Sequence, residues 1–420
     1  MKRLLNVWWD DRLVGQLTQN QHGELGFAYA STWLDDEHAP PLSISLPKRA
    51  KAFTRRECRP FFSGLLPEAD SRESAAQALG VSSANDFALL DHLGGDVAGA
   101  IQILQTGVNR PFAGLQSFPT VLNEAGLVRV LDALPTRPFL VGQGSMRLSL
   151  AGAHPKLPVV LVNGAVALPA PGQPTTHILK PPISRFKATT ENETFVMRLA
   201  EAIGLDVARV EPRLVSGRPF LLVKRYDRAA GDDGQFRRIH QEDFCQALGV
   251  PPDRKYAAEG GPTFKACFEL LRRVAARPAV DVLKLLDAAI FNAMVGNADA
   301  HGKNFSIVHD SDGPRLAPLY DLLSTVFYPD LGTTFAMKIG TRATLGELDA
   351  DGWTRFAKDA GMTLPMVRRR VEDLRERIDS AIASVVSELG SHQFDQTVVE
   401  SLARMTQTRA SGCATSIFKR

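Results

Sequence analysis

Apolar and polar positions alternate from the start of the chain. Leu4–Trp9 and Leu13–Leu17 read as two short strands across a turn at Asp10-Asp11-Arg12. Gly26–Tyr29 and Leu42–Leu46 carry the same strand-like pattern. The spacing then lengthens. Phe61-Phe62-Ser63-Gly64-Leu65-Leu66-Pro67-Glu68 opens a stretch of helical periodicity, which Phe87, Leu89, Leu90 and Leu93 continue. Gly94, Gly95 and Gly99 punctuate the passage into a strand at Ala100–Leu104. Residues 1–140 therefore read as a mixed α/β subdomain.

The pattern changes near Gly142 and Gly144. Over residues 141–225, short β-like runs alternate with turns: Leu157–Val162, Ala165–Leu168, His177–Lys180 and Phe220–Val223. One helix interrupts them, from about Glu191 to Ile203, and Gly204 closes it. Residues 226–420 are mainly helical, with Asp281–Asn297 and Leu364–Leu389 the clearest segments. The whole reads as an α+β chain. A strand-rich piece carrying one helix, then a helical piece, is the order of a bilobal kinase, although many α/β proteins share it.

Composition narrows the class. A chain of 420 residues that is 44% hydrophobic has material for a large core. Charged residues make up 23%, the formal net charge is +3, and no block of one sign stands out, so the balance does not announce a nucleic-acid binder. The four cysteines form no C-x-x-C pair, so neither a zinc site nor a disulfide framework is expected. The chain turns polar at Asp10-Asp11-Arg12, too early for a signal-peptide core. Its longest apolar run, around Val159–Leu168, is interrupted by Asn163-Gly164. A soluble, cytoplasmic protein without a membrane span is the expectation.

The strongest chemical signal is Gly296-Asn297-Ala298-Asp299-Ala300-His301-Gly302-Lys303-Asn304-Phe305-Ser306. Asp299 and Asn304 have the D-x-x-x-x-N spacing of a protein-kinase catalytic loop, in which the carboxylate accepts a hydroxyl proton and the amide oxygen faces magnesium. An isolated pattern of this length is more often a turn or cap. Here an apolar run and a turn at Asp310–Gly313 follow, and a β-hairpin between Asn304 and Asp321 would return a second hard oxygen ligand to the loop.

Three further segments fit a nucleotide. Ser149-Leu150-Ala151-Gly152-Ala153-His154-Pro155-Lys156 has small residues that let backbone N–H groups approach phosphates, but it lacks the Gly-Lys-Ser/Thr of a Walker A loop. Lys180 ends the run His177-Ile178-Leu179-Lys180, as a phosphate-binding strand lysine would, with Glu193 a candidate partner or an ordinary first-turn glutamate. Val223-Lys224-Arg225-Tyr226-Asp227-Arg228 joins the strand-rich and helical parts, where a kinase hinge would lie. Its arginines are open to the alternative of plain ion pairing.

Together these residues resemble the HipA family of bacterial toxin kinases over nearly the whole chain. Gly64-Leu65-Leu66-Pro67-Glu68, Gly94–Ala100, Gln241-Glu242-Asp243 and Lys255-Tyr256 with Gly260-Gly261-Pro262 add to the segments above, as does Tyr320-Asp321. The resemblance implies a bilobal protein-kinase-like fold, distantly like phosphatidylinositol kinases, behind an α/β N-terminal subdomain. It also implies ATP and magnesium as cofactors. By position, Asp299 is the base, Asn304 and Asp321 hold magnesium, and Lys180 contacts ATP. Ala151, Gly152, Ala153, His154, Pro155 and Lys156 form the phosphate loop, and Lys224, Arg225 and Tyr226 the adenine hinge. His301, Gly302, Lys303 and Tyr320 complete the ATP site. Ser149 matches a serine whose autophosphorylation ejects that loop. Two departures stand out: His154 where many members have Gln, and Tyr226 where Phe is usual.

The resemblance further implies a small helix-turn-helix antitoxin, operator DNA reached through that complex, and an aminoacyl-tRNA synthetase as target, glutamyl-tRNA synthetase foremost. Arg368-Arg369-Arg370 with Arg375 and Arg377 could face DNA, although pairing with Glu372, Asp373 and Glu376 on a solvated helix is the plainer reading. Two alternatives stand: a small-molecule phosphotransferase, and a catalytically silent co-repressor.

Overall fold

A computed structural model describes residues 3–107, 118–141, 147–231, 235–391 and 394–419; Gly142 and Gly144 lie outside these. The chain forms two compact units, Met1–Ile183 with Leu214–Pro252, and Ser184–Arg213 with Asp253–Arg420.

In the first unit, β1 (Arg3–Trp9), β2 (Arg12–Gln19) and β3 (Leu25–Tyr29) form a meander, and β4 (Ile101–Gln105) pairs antiparallel with the free edge of β1. Asp10 takes the left-handed conformation that the tight β1–β2 turn requires. A second sheet has the order β5-β7-β6-β8-β10-β9. Its strands are β5 (Thr120–Val121), β6 (Leu157–Val162), β7 (Ala165–Leu168), β8 (His177–Lys180), β9 (Val210–Val215) and β10 (Arg218–Lys224). Antiparallel neighbours β6 and β10 flank β8. A ribbon of β11 (Arg228–Ala230) and β12 (Phe236–Arg238) follows, then β13 (His240–Asp243). One hydrophobic core serves both sheets: Leu5, Val7, Phe27, Phe61 and Phe62 belong to the same buried cluster as Leu157, Val159, Leu179 and Phe220.

Leu42–Leu46 is not the strand its alternation suggests; it makes only a bridge between Ser43 and Leu46. Pro40, Pro41 and Pro47 deny the flanks the N–H donors of a ladder. Other groups satisfy its backbone. Leu42 N–H donates to the Tyr29 hydroxyl, which donates to the Leu46 carbonyl, and Ile44 N–H donates to the Glu242 carboxylate. The helix foreseen around Phe61 starts earlier, at Arg55. A reciprocal capping box between Thr54 and Glu57 fixes that start.

The second unit is mainly helical. Pro278–Val295 is apolar on nearly every side and runs through the interior. Leu364–Gly390 is amphipathic instead, burying Val367, Val371, Leu374, Ile378, Ile382, Val385 and Leu389 at steps of three or four. These two helices pack with each other and with Gln396–Ser416, and Leu364–Gly390 packs also with Thr189–Ala202. The hairpin expected before Asp321 is present as β14 (Ser306–Asp310) and β15 (Gly313–Leu316). On the long helix four of the five arginines are paired: Arg368 with Glu372, Arg370 with the buried Asp287, Arg375 with Glu376 and Asp379, and Arg377 with Asp373. That is the solvated, ion-paired face rather than a bare basic one. Among the described residues, no helix is long and apolar enough to cross a membrane.

Candidate active site

The catalytic-loop candidate lies in the second unit and is fixed largely by its own sequence. The interior helix stops at Gly296, whose φ of 78° is left-handed and whose α-hydrogen faces packed atoms: a Cβ there would lie 2.2 Å from Val326 Cγ2. Asn297 then folds back, its amide donating to Asn292 Oδ1 at 2.8 Å, and its own Oδ1 accepts from Asp299 N–H at 3.2 Å. His301 N–H donates to the Asp299 carbonyl and Asn304 N–H to the His301 carbonyl. Thr325 Oγ1 adds a strut, accepting from Ala298 N–H and donating to the Gly296 carbonyl.

Hairpin β14–β15 brings Tyr320-Asp321 back to this loop. The Tyr320 hydroxyl donates to the Lys303 carbonyl at 2.7 Å and lies 2.7 Å from Ser306 Oγ. Asp321 adopts a left-handed φ of 58°, a conformation that a short polar side chain tolerates best among non-glycine residues. Its Oδ2 accepts from Asn304 Nδ2 at 3.2 Å. Asn304 Oδ1 is buried and has no hydrogen-bond partner. A buried amide oxygen without a donor is costly in a folded protein. A hard cation between Asn304 and Asp321 would resolve it, because magnesium takes oxygen ligands and few protein side chains. These residues fit magnesium.

Tyr256 was not given a role by sequence reasoning. Its hydroxyl donates to Asp299 Oδ1 at 2.9 Å, and its ring packs edge-on against His301, with centroids 5.3 Å apart. The partnership spans 43 residues. The Lys255-Tyr256 segment was visible as part of the resemblance, but no spacing rule links it to Asp299. His301, Gly302 and Lys303 are all buried beside it.

The phosphate-loop candidate lies in the first unit and is held by distant partners. Ser149 is fully buried, and its Oγ donates to the Leu65 carbonyl at 2.8 Å. Gly152 forms a parallel bridge with Pro67 and accepts from Glu68 N–H, while Ser71 Oγ donates to the Ala153 carbonyl at 2.6 Å. Lys156 Nζ donates to the Ala151 carbonyl at 2.6 Å, closing the loop on itself. Gly152 has a φ of 113°, a backbone conformation that strains any residue with a Cβ; Lys156 Nζ, 2.4 Å from where that Cβ would lie, could swing aside, so the angle is what favours glycine. Lys180 ends β8 in this unit; Glu193 lies on the helix Thr189–Ala202 of the second.

At the hinge candidate, Arg225 is buried, its guanidinium is committed to Asp96 and Asp227, and its N–H donates to the Thr176 carbonyl at 3.0 Å. Arg228 and Arg238 also bind Asp96. Burial pushes the Asp96 carboxyl up, but the three guanidiniums and the Thr175 hydroxyl overcome this and hold it at about 2. Tyr226 shares a hydrogen bond with Gln241, and Lys224 ends β10 exposed.

An aspartate on a turn after an interior helix, with an amide five residues on and a second carboxylate returned by a hairpin, is the arrangement of a phosphotransferase of protein-kinase type. The comparisons agree. Residues 5–104 match the HipA N-terminal domain and residues 148–386 the HipA-like C-terminal domain. A Sinorhizobium fredii protein named "Putative kinase Y4mE" is 65% identical over 97% of this chain and 98% of its own length. The serine/threonine-protein kinase toxin HipA of Shewanella oneidensis is 30% identical over 91% of this chain and 89% of its own. A solved complex of Shewanella oneidensis HipA with HipB and operator DNA contains a chain that superposes with a TM-score of 0.85 at 28% identity, over 97% of this chain and 96% of that one. The chain belongs to the HipA family, with its α+β kinase-like fold, and is a serine/threonine-protein kinase.

Proposed function

We propose that this kinase is the toxin of a toxin–antitoxin pair, using ATP and magnesium to phosphorylate a seryl or threonyl hydroxyl on an aminoacyl-tRNA synthetase, glutamyl-tRNA synthetase first among them. The observation that carries the chemistry is the buried, partnerless Asn304 Oδ1 beside Asp321, five residues after Asp299. Asp299 accepts the hydroxyl proton as the oxygen attacks the terminal phosphorus of ATP, the bridging P–O bond breaks and ADP leaves, while Tyr256 holds the carboxylate in place. Asn304 and Asp321 hold magnesium, which when bound neutralises charge on the transferring phosphoryl group. In the first unit, Ala151–Lys156 and Lys180 bind the phosphates, and the Lys224–Tyr226 backbone takes the adenine.

Ser149 is the proposed autophosphorylation site. Its burial means that the loop must leave Leu65 before the hydroxyl can react, and a phosphate there would carry nearly two charges into a closed site. By analogy with the Shewanella complex, the partner is a HipB-type helix-turn-helix antitoxin, with operator DNA reached through it, in the cytoplasm.

The test is purified protein with labelled ATP, magnesium and cell lysate, followed by mass spectrometry. Label on Ser149 and on a tRNA synthetase is the expected result. ATP binding without any transferred label would replace the toxin reading with that of a silent co-repressor.

A further inference from the structure

The cluster around Asp96 has no place in the chemistry above, yet it touches the hinge and the residues that lead into the other two nucleotide-binding segments proposed for the first unit. The Asp96 backbone grips the phosphate-loop strand from both sides of Leu148: its N–H donates to the Arg147 carbonyl at 2.8 Å, and its carbonyl accepts from Ser149 N–H at 3.0 Å. The Asp96 carboxylate grips the other two segments. Oδ2 accepts from Thr175 Oγ1 at 2.6 Å, just ahead of β8 with Lys180, and from Arg225 of the hinge at 3.2 Å. Oδ1 accepts from Arg228 at 2.9 Å and from Arg238 at 3.1 Å. Asp227 completes the network, binding Arg225 and accepting from Gly99 N–H at 2.8 Å.

Burying five charged side chains is a poor route to stability, because a well-packed apolar cluster of equal volume does as well. What such a network supplies is fixed geometry, since each partner has only one arrangement that leaves no charge alone. Three of these charges lie in or beside the hinge, and the carboxylate at their centre belongs to the residue that also pins the loop.

We propose that Asp96 is a positioning residue that clasps the phosphate-binding loop to the hinge and to strand β8, holding the loop in the shape that receives ATP. The inference rests on the reading of Ala151–Lys156 as the phosphate loop. If Asp96 swings out of the network, Leu148–Ala153 loses its register on the N-terminal subdomain, and Ser149 loses its cover.

The experiment uses the full chain with Asp96→Asn and Arg238→Gln. The first keeps volume and withdraws the charge that three guanidiniums share. The second leaves two arginines facing two carboxylates, and it decides the matter alone should the first fail to fold. Hydrogen–deuterium exchange should accelerate in Leu148–Ala153, and the KM for ATP should rise about tenfold in Asp96→Asn and about threefold in Arg238→Gln, with kcat within about twofold of the parent. A folded variant with unchanged exchange and KM, or with kcat lost and KM held, would overturn the clasp. Lys156→Met separates the two levels. If it raises the KM while the clasp variants behave as the parent, only the clasp falls. If it leaves the KM unchanged, the phosphate-loop reading fails and takes the clasp with it.

Discussion

The two loops assigned to catalysis are built in opposite ways. Between Asn292 and Asn304 the turns are set mainly by bonds spanning two to five residues: Asn297 to Asn292, Asp299 to Asn297, His301 to Asp299, Asn304 to His301. From Arg147 to Ala153 the holding bonds reach back to Leu65, Glu68, Ser71 and Asp96, and Ser149 to Leu65 alone crosses 84 residues. The local loop is preset as soon as its helix forms. The distant one has a shape only when the N-terminal subdomain is folded beneath it. The residues proposed as base and metal ligands can thus stay rigid while the loop proposed for the phosphates is held, and released, separately.

The sharpest break is at the base. Asp299→Asn should lower kcat by about a thousandfold or more with little change in melting temperature; near-normal turnover would remove the rigid loop from the chemistry. Asn304→Ala should follow, with kcat down about a hundredfold and a higher magnesium requirement in a titration of activity against the metal. The two glycines then set the loops against each other. Gly152→Val should raise the KM for ATP about tenfold while the fold survives. Gly296→Ala, which drives a Cβ into Val326, should instead cost about 2 kcal/mol or more in a denaturant melt. Equal effects on both measurements would erase the distinction. A smaller effect belongs to Tyr256→Phe: loss of one hydrogen bond to Asp299 should reduce kcat about fivefold and leave the KM for ATP alone.

The smallest effect is acid-dependent. The folded Asp96 carboxyl sits below its ordinary 3.8, at about 2. A depressed acid contributes stability that is fully present above its unfolded value and is lost as the pH falls through the folded one. Amide exchange in Leu148–Ala153 should therefore accelerate between about pH 4 and pH 2, before the same change reaches Ala298–Asn304. Simultaneous loosening would count against separate control of the loops.

What the sequence disclosed follows the same division. Strands β6, β7 and β8 match their expected limits, because each is a short, mostly apolar run between turn residues. Asp299, Asn304 and the hairpin to Asp321 were legible because their relation is one of spacing. Tyr256 and Asp96 were not, since their partners lie 43 to 142 residues away and no periodicity encodes such a meeting. Leu42–Leu46 misled for a related reason: its alternation is real, but a tyrosine hydroxyl and a distant glutamate take the place of a neighbouring strand.

The division of the chain into Met1–Ile183 with Leu214–Pro252, and Ser184–Arg213 with Asp253–Arg420, bears on how the protein is made. A ribosome that has released residue 183 has delivered β8 without β10, the partner on one of its two sides. The helix Thr189–Ala202 then emerges long before Leu364–Gly390 and Gln396–Ser416, against which it packs. Each unit is interrupted by sequence of the other, so no single cut separates the two. A nascent chain interrupted before Gln396–Ser416 would carry every residue assigned to phosphotransfer and still lack a finished second unit.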